Sequence, residues 1–304
     1  MLETLDLTKK LAKNTYSRQM DELQERLRQL QYAAQKAELP VVICLEGWDC
    51  AGKGRVIKKL MERLDPRLFR VLPGSAPTPL EQRYHFLWRY QTKLPNDGEM
   101  VLFDHSWYGR VLVERCDKVV KKKVWRDAFE EINQFERWLA DDAQVLIKFW
   151  MHISKKEQKK RYKETLRDPL LRWKITKEYE RHHRQYDRWV DAVEEMLART
   201  STPHAPWTLV ESNDVRWARV RVFETIVKRL EETLARREKL PAAVSRTTAA
   251  AAATKDARAA RLARDHDLAA EEERRTAETE KAPGKKRPRA VKPAATGKEA
   301  AAHA

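Results

Sequence analysis

Cysteine is scarce in this 304-residue chain: Cys44, Cys50 and Cys116 are its three, at no metal-ligand or disulfide spacing. That argues against a disulfide framework and a cysteine-based metal site, and leads us to expect reduced thiols in a cytosol. Long apolar runs are missing too. No stretch approaches the length of a membrane span, and the opening MLETLDLTKK has no apolar core of a secretory signal. The expectation is a soluble, cytoplasmic protein without a membrane partner. Acidic residues are the minority charge. The 62 Lys and Arg against 46 Asp and Glu leave a net charge of +16. So strong a bias implies an anionic partner such as a nucleic acid or a phosphate-rich substrate.

Ten tryptophans and a full complement of Leu, Val and Ile suffice to build a core. Composition changes near Leu240, where Ala, Lys, Arg, Thr and Pro take over and aromatics vanish. We therefore expect one folded domain over 1–239 and a disordered, low-complexity basic tail over 240–304. Nucleic acid enters as a partner only through that tail. Within the domain, short apolar runs at 41–45, 70–73, 100–104 and 145–153, and a last strand and turn at 205–214, alternate with amphipathic stretches. The pattern predicts an α/β fold with a parallel sheet. Helices are expected over 15–38, after Lys53, over 81–90, 125–141 and 176–199, and from Val215 to about Arg237, with Ser154 as an N-cap and Glu157 completing a capping box ahead of a cation-dense segment at 159–174.

The centre of the chain is PVVICLEGWDCAGKGRVIKK, from Pro40 to Lys59. A buried strand runs into a glycine loop, then a lysine, then a helix, which is the P-loop arrangement. Backbone N–H groups of such a loop and of the helix N-terminus form a concave donor surface for phosphate oxygens. Gly47, Gly52 and Gly54 are its glycines, Lys53 reaches terminal phosphates, and Arg55 follows as a further cation. The position after the lysine is ordinarily Ser or Thr, whose hydroxyl binds Mg²⁺; here it is Gly54. Asp49, inside the loop, is the candidate to replace that ligand. The run Met100–Asp104 is a strand ending in an acid, as a Walker B carboxylate requires, so Asp104 is the second candidate ligand.

GWDCAGKG followed by FDHSWYGRVLVER, then RDPLLRWK and APWTLV, resembles the polyphosphate kinase 2 family, and most closely its branch acting on nucleoside monophosphates. The resemblance covers residues 15–237. It implies a P-loop kinase-like three-layer sandwich with a helical lid, placed at about 154–175, and transfer of a phosphoryl group from inorganic polyphosphate to a nucleotide, with AMP to ADP as first choice. It also implies a homo-oligomer and a divalent cofactor, Mg²⁺ or alternatively Mn²⁺, held by Asp49 and Asp104. Catalytic roles fall to Asp49, Lys53, Asp104 and Arg110. Phosphate or substrate contacts fall to Gly47, Gly52, Gly54, Arg55, His105, Ser106 and the lid residues Arg161 and Arg167. One position departs from the family pattern: His105 stands where an arginine is usual, which bears on rate, pH dependence and donor preference. Three other readings stay open. The acceptor could be a nucleoside diphosphate, the donor could be ATP, or the chain could bind polyanions with impaired turnover.

Overall fold

The computed structural model describes residues 1–175 and 177–239 of the chain. The tail anticipated over 240–304, with its nucleic-acid expectation, lies outside the described residues. Five parallel strands form one sheet: β1 (Val41–Gly47), β2 (Phe69–Pro73), β3 (Met100–Asp104), β4 (Val145–His152) and β5 (Trp207–Glu211). Their order is β2-β3-β1-β4-β5. β1 is central, with β3 on one side and β4 on the other, so the chain reverses its direction of winding there. Ligands in such sheets bind beyond the carboxyl ends of the strands at that reversal. The first six residues of β1 and all of β4 are buried, which fits the continuous apolar runs of a sheet covered on both faces.

The helices are α1 (Lys13–Lys36), α2 (Lys53–Met61), the single turns α3 (Trp88–Gln91) and α4 (Val113–Cys116), α5 (Lys122–Asp141), α6 (Lys155–Arg167), α7 (Lys177–Arg184), α8 (Tyr186–Thr200) and α9 (Val215–Lys239). α1, α2 and α9 pack together in one layer, with α9 against β4 and β5; α5 and α8 pack in the other. The buried stripe of α1 is Met20, Gln24, Leu27, Leu30, Gln31 and Ala34, at helical spacing. Its two glutamines are satisfied across the layer: Gln31 bonds both backbone groups of Asp65, and Gln24 donates to the Lys59 carbonyl.

Two expected helices come out differently. The stretch 81–90 is a 3₁₀ turn (Glu81–Arg83), an extended Tyr84 and then the short α3. Tertiary packing overrides helical preference here. Leu87 is buried, the Phe86 ring lies under Arg110, and Tyr84 stacks on Trp88 with centroids 4.3 Å apart. The single helix expected over 176–199 is broken at Gln185 into α7 and α8. The break seats Tyr186 parallel to Trp48 at 4.2 Å, its hydroxyl donating to the Ile153 carbonyl.

Candidate active site

The register Leu45↔Asp104 brings the ends of β1 and β3 together, so the loop after Gly47 and the carboxylate of Asp104 share one sheet edge. Gly47 is required by close approach: a Cβ there would sit 2.5 Å from the Met151 carbonyl oxygen. Gly52, at φ +100°, ends the loop in a left-handed conformation that glycine adopts without strain. Lys53 opens α2 with its side chain folded back, the Nζ donating to the carbonyls of Gly47 (2.8 Å) and Trp48 (3.3 Å). Gly54 and Arg55 are exposed on the first turn of α2, with open space around the Gly54 Cα.

Asp49 is held by a group that the sequence analysis did not assign. The Nδ1 of His182 lies 3.0 Å from Asp49 Oδ2, and its Nε2 lies 3.4 Å from Asp117 Oδ2. Burial opposes ionisation of Asp49, but the His182 hydrogen bond and the charge of Lys53 outweigh it and keep the carboxyl below the usual aspartate range. Burial likewise opposes a charge on His182, and the two carboxylates overcome it and raise that pKa. Tyr179, on α7, is pushed up by burial and by the charges of Asp49 and Asp104, so its hydroxyl lies within electrostatic reach of both acids. Burial and Asp49 push the Cys50 thiol up to about 11, which leaves it an inert thiol.

Asp104 has a buried Oδ1 with no hydrogen-bond partner among the described residues. An orphaned carboxylate oxygen at the sheet edge that also carries the loop of Asp49 fits a hard divalent cation, which takes oxygen ligands. Asp49 and Asp104 are therefore the residues that could hold one.

The segment after Asp104 is fixed by two buried acids. Glu46, in β1, accepts the Ser106 N–H (2.6 Å) and the Ser106 hydroxyl (2.9 Å), and lies 3.3 Å from His105 Nδ1. Both Ser106 donors are thus turned inward, which does not fit the expected phosphate contact. His105 adopts a φ of +66° and is 43% exposed at its side chain, at the edge where the loop and Asp104 meet. Glu136, in α5, accepts from Trp107 Nε1 and the Tyr108 hydroxyl. Beyond them Arg110 pairs with Glu114 at 3.2 Å and lies 4.6 Å over the Phe86 ring, its buried Nε without a partner among the described residues.

The two lid arginines part company. Arg161 is buried, and each of its N–H donors meets an acceptor: Nε on Glu157, Nη1 on the carbonyls of Cys50 and Ala51, Nη2 on those of Ser212 and Asn213. It clamps the P-loop from behind, which does not fit the expected reach over a donor phosphate. Arg167 ends α6 exposed, on a basic concavity with Lys156, Lys159, Lys160 and Lys163. Ser154 caps α6 as its sequence predicts, accepting the Glu157 N–H. The reciprocal half of that capping box is missing, because Asn213 takes the Ser154 N–H and Glu157 turns to Arg161.

Glu46, Asp117, Arg181 and His182 are the site residues that sequence reading missed. Glu46 carried a signal, an acid inside an otherwise apolar strand. Asp117 and Arg181 lie far apart in sequence and carried none. His182 and His183 are adjacent, so on a helix they point about 100° apart and neither stands out as a site residue.

A parallel α/β sheet with a glycine loop, its lysine and two acids on segments at the carboxyl edge has the arrangement of a P-loop fold. The polyphosphate kinase 2 family model matches residues 10–238. The chain is 42% identical over 231 residues to the polyphosphate:AMP phosphotransferase of Pseudomonas aeruginosa, covering 76% of this chain and 47% of the relative. It is 36% identical over 220 residues to the NDP-polyphosphate phosphotransferase 1 of Ruegeria pomeroyi, covering 72% of each. The crystal structure of polyphosphate kinase 2 from Arthrobacter aurescens TC1 superposes with a TM-score of 0.73 at 27% identity, covering 76% of this chain and 85% of the other. The chain spans about half the length of the first curated relatives it matches. It belongs to the polyphosphate kinase 2 family.

Proposed function

We propose that this chain moves a phosphoryl group from inorganic polyphosphate to a nucleotide, with AMP to ADP as the principal reaction. The observation that supports this reading is the pairing of the β1 and β3 ends, which puts the loop carrying Asp49 and Lys53 at the same sheet edge as Asp104, whose Oδ1 has no partner among the described residues. Asp49 and Asp104 hold Mg²⁺, with Mn²⁺ as a substitute. The bound cation supplies charge neutralisation on the phosphate oxygens. Lys53 and the loop N–H groups receive the transferring group. The ammonium has three donors, of which two are directed to carbonyls, so one is left for a phosphate oxygen. Arg110, with its unpartnered Nε, adds a cation on the far side of the turn. Arg161 acts by holding the loop's shape, and Arg167 with the lysines of α6 meets the polyanionic donor over the lid at about 154–175.

A second acceptor class, nucleoside diphosphates, is favoured by the Ruegeria relative, which this chain matches over 72% of both lengths. A matrix of AMP, GMP, ADP and GDP against polyphosphate and ATP, with product nucleotides quantified, tests the proposal. The expected result is polyphosphate-dependent ADP formation from AMP, lost in Lys53→Ala. Turnover with ATP alone as donor, or parent-like turnover in Lys53→Ala, overturns it.

A further inference from the structure

Asp49 is not placed by its own loop alone. The His182 ring on α7 is gripped edge-on between Asp49 Oδ2 at 3.0 Å and Asp117 Oδ2 at 3.4 Å. Its ring lies against that of Trp189 of α8, centroids 4.6 Å apart and planes tilted by 51°. Asp117 is itself fixed by Arg181, whose Nε donates to Oδ1 at 3.1 Å and whose Nη2 donates to Oδ2 at 2.6 Å. The imidazole, Asp49 and Asp117 side chains are all at least four-fifths buried. A buried ring with both nitrogens directed at carboxylates and an indole against it has one orientation available. The three residues come from the P-loop, the turn after α4, and α7, which follows the lid segment.

From this we infer that Asp117 and His182 are positioning residues for Asp49: through the imidazole they fix the rotamer of that carboxylate and leave its other oxygen for a cation. The inference rests on the reading of Asp49 and Asp104 as divalent-cation ligands. Groups that bond to a metal-ligating carboxylate orient it, and their loss typically weakens metal binding about 10–100-fold. The arrangement also makes Asp49 answer to α7, since the ring arrives on that helix.

Mn²⁺ titration of the substrate-free protein, followed by the electron paramagnetic resonance of the free ion, reads the effect without turnover. His182→Ala is expected to weaken Mn²⁺ binding about 10–100-fold. His182→Asn, whose carboxamide can donate to Asp49 but cannot span to Asp117, should fall between parent and His182→Ala. Asp117→Asn should weaken binding in the parent background and add nothing in the His182→Ala background, because it acts through the ring. Thermal unfolding of each variant shows whether the fold is kept, and if His182→Ala does not fold, Asp117→Asn and His182→Asn carry the comparison. Parent-like Mn²⁺ affinity in folded variants, or additive losses in the double variant, overturns the positioning role. A parent that binds no Mn²⁺ and transfers no phosphoryl group instead overturns the reading of the site on which the role depends.

Discussion

At the scale of single residues, His152 shows how burial fixes a protonation state behind the P-loop. It ends β4, is 6% exposed, and its Nδ1 accepts the Trp48 Nε1–H at 3.0 Å. Accepting that bond requires an unprotonated Nδ1. Burial pulls the pKa down to about 4 from an ordinary 6.5, against a small opposing effect of Glu194. The folded value lies below the unfolded one, so between the two the unfolded chain binds more protons. The stabilisation is complete above about pH 6.5 and is lost as pH falls toward 4, amounting to ~3 kcal/mol for this ring. Urea unfolding at pH 7 and pH 4 should show this difference between the parent and His152→Gln, whose amide oxygen still accepts from Trp48 but does not titrate. Identical pH slopes in the two proteins would refute the assignment.

At the scale of elements, periodicity made most of the architecture legible. The five strands and the long helices announce themselves as apolar runs or stripes, because burial on two faces or one leaves that signature. The short helices failed for a physical reason. Around Tyr84 and at Gln185 the chain is set by ring stacking with partners elsewhere in the fold, which local spacing does not encode. The site was legible where one segment supplies it, as in Gly47–Lys53, or where a strand end does, as at Asp104. It was not legible where remote segments converge: Asp117 with His182, or Arg161 behind the loop. Lys148 is a further instance, a cation in the middle of β4 that reads as a defect in an apolar strand. It is fully buried, donates to Glu136 of α5 at 2.7 Å, to the Tyr108 hydroxyl at 2.9 Å and to the Thr200 carbonyl at the end of α8 at 2.7 Å. Burial lowers its pKa while Glu136 opposes the shift. One ammonium therefore ties β4, two helices and the turn carrying Arg110. Removing one buried partner strands the other, at about 3–5 kcal/mol, whereas replacing both with apolar groups can approach neutrality. Lys148→Met should lose stability by that amount in chemical denaturation, and Lys148→Met with Glu136→Gln should regain much of it, because the amide carries no charge and its oxygen still accepts from Trp107 and Tyr108. A double variant no more stable than the single one would show that the pair is not coupled in this way.

For the whole molecule, charge bears on the donor more than on the acceptor. The chain carries +16 overall, and α6 adds a local face of Lys156, Lys159, Lys160, Lys163 and Arg167. These cations are exposed on an open concavity of the helix that also carries Glu164, so they suit a repeating polyanion better than a single nucleotide. Their attraction acts through solvent, and the screening length falls from ~10 Å at about 0.1 M salt to ~3 Å at about 1 M. A long polyphosphate spans many such charges and loses attraction at each. On the proposed function, a nucleotide held by short contacts at the strand ends would lose much less to screening. The KM for long-chain polyphosphate should therefore rise about tenfold or more over that range of KCl, while the KM for AMP moves only a few-fold. Lys159→Glu combined with Lys163→Glu should raise the polyphosphate KM at low salt and flatten its salt dependence, leaving that for AMP unchanged. Equal salt responses of the two constants would mean that the basic face of α6 does not meet the donor.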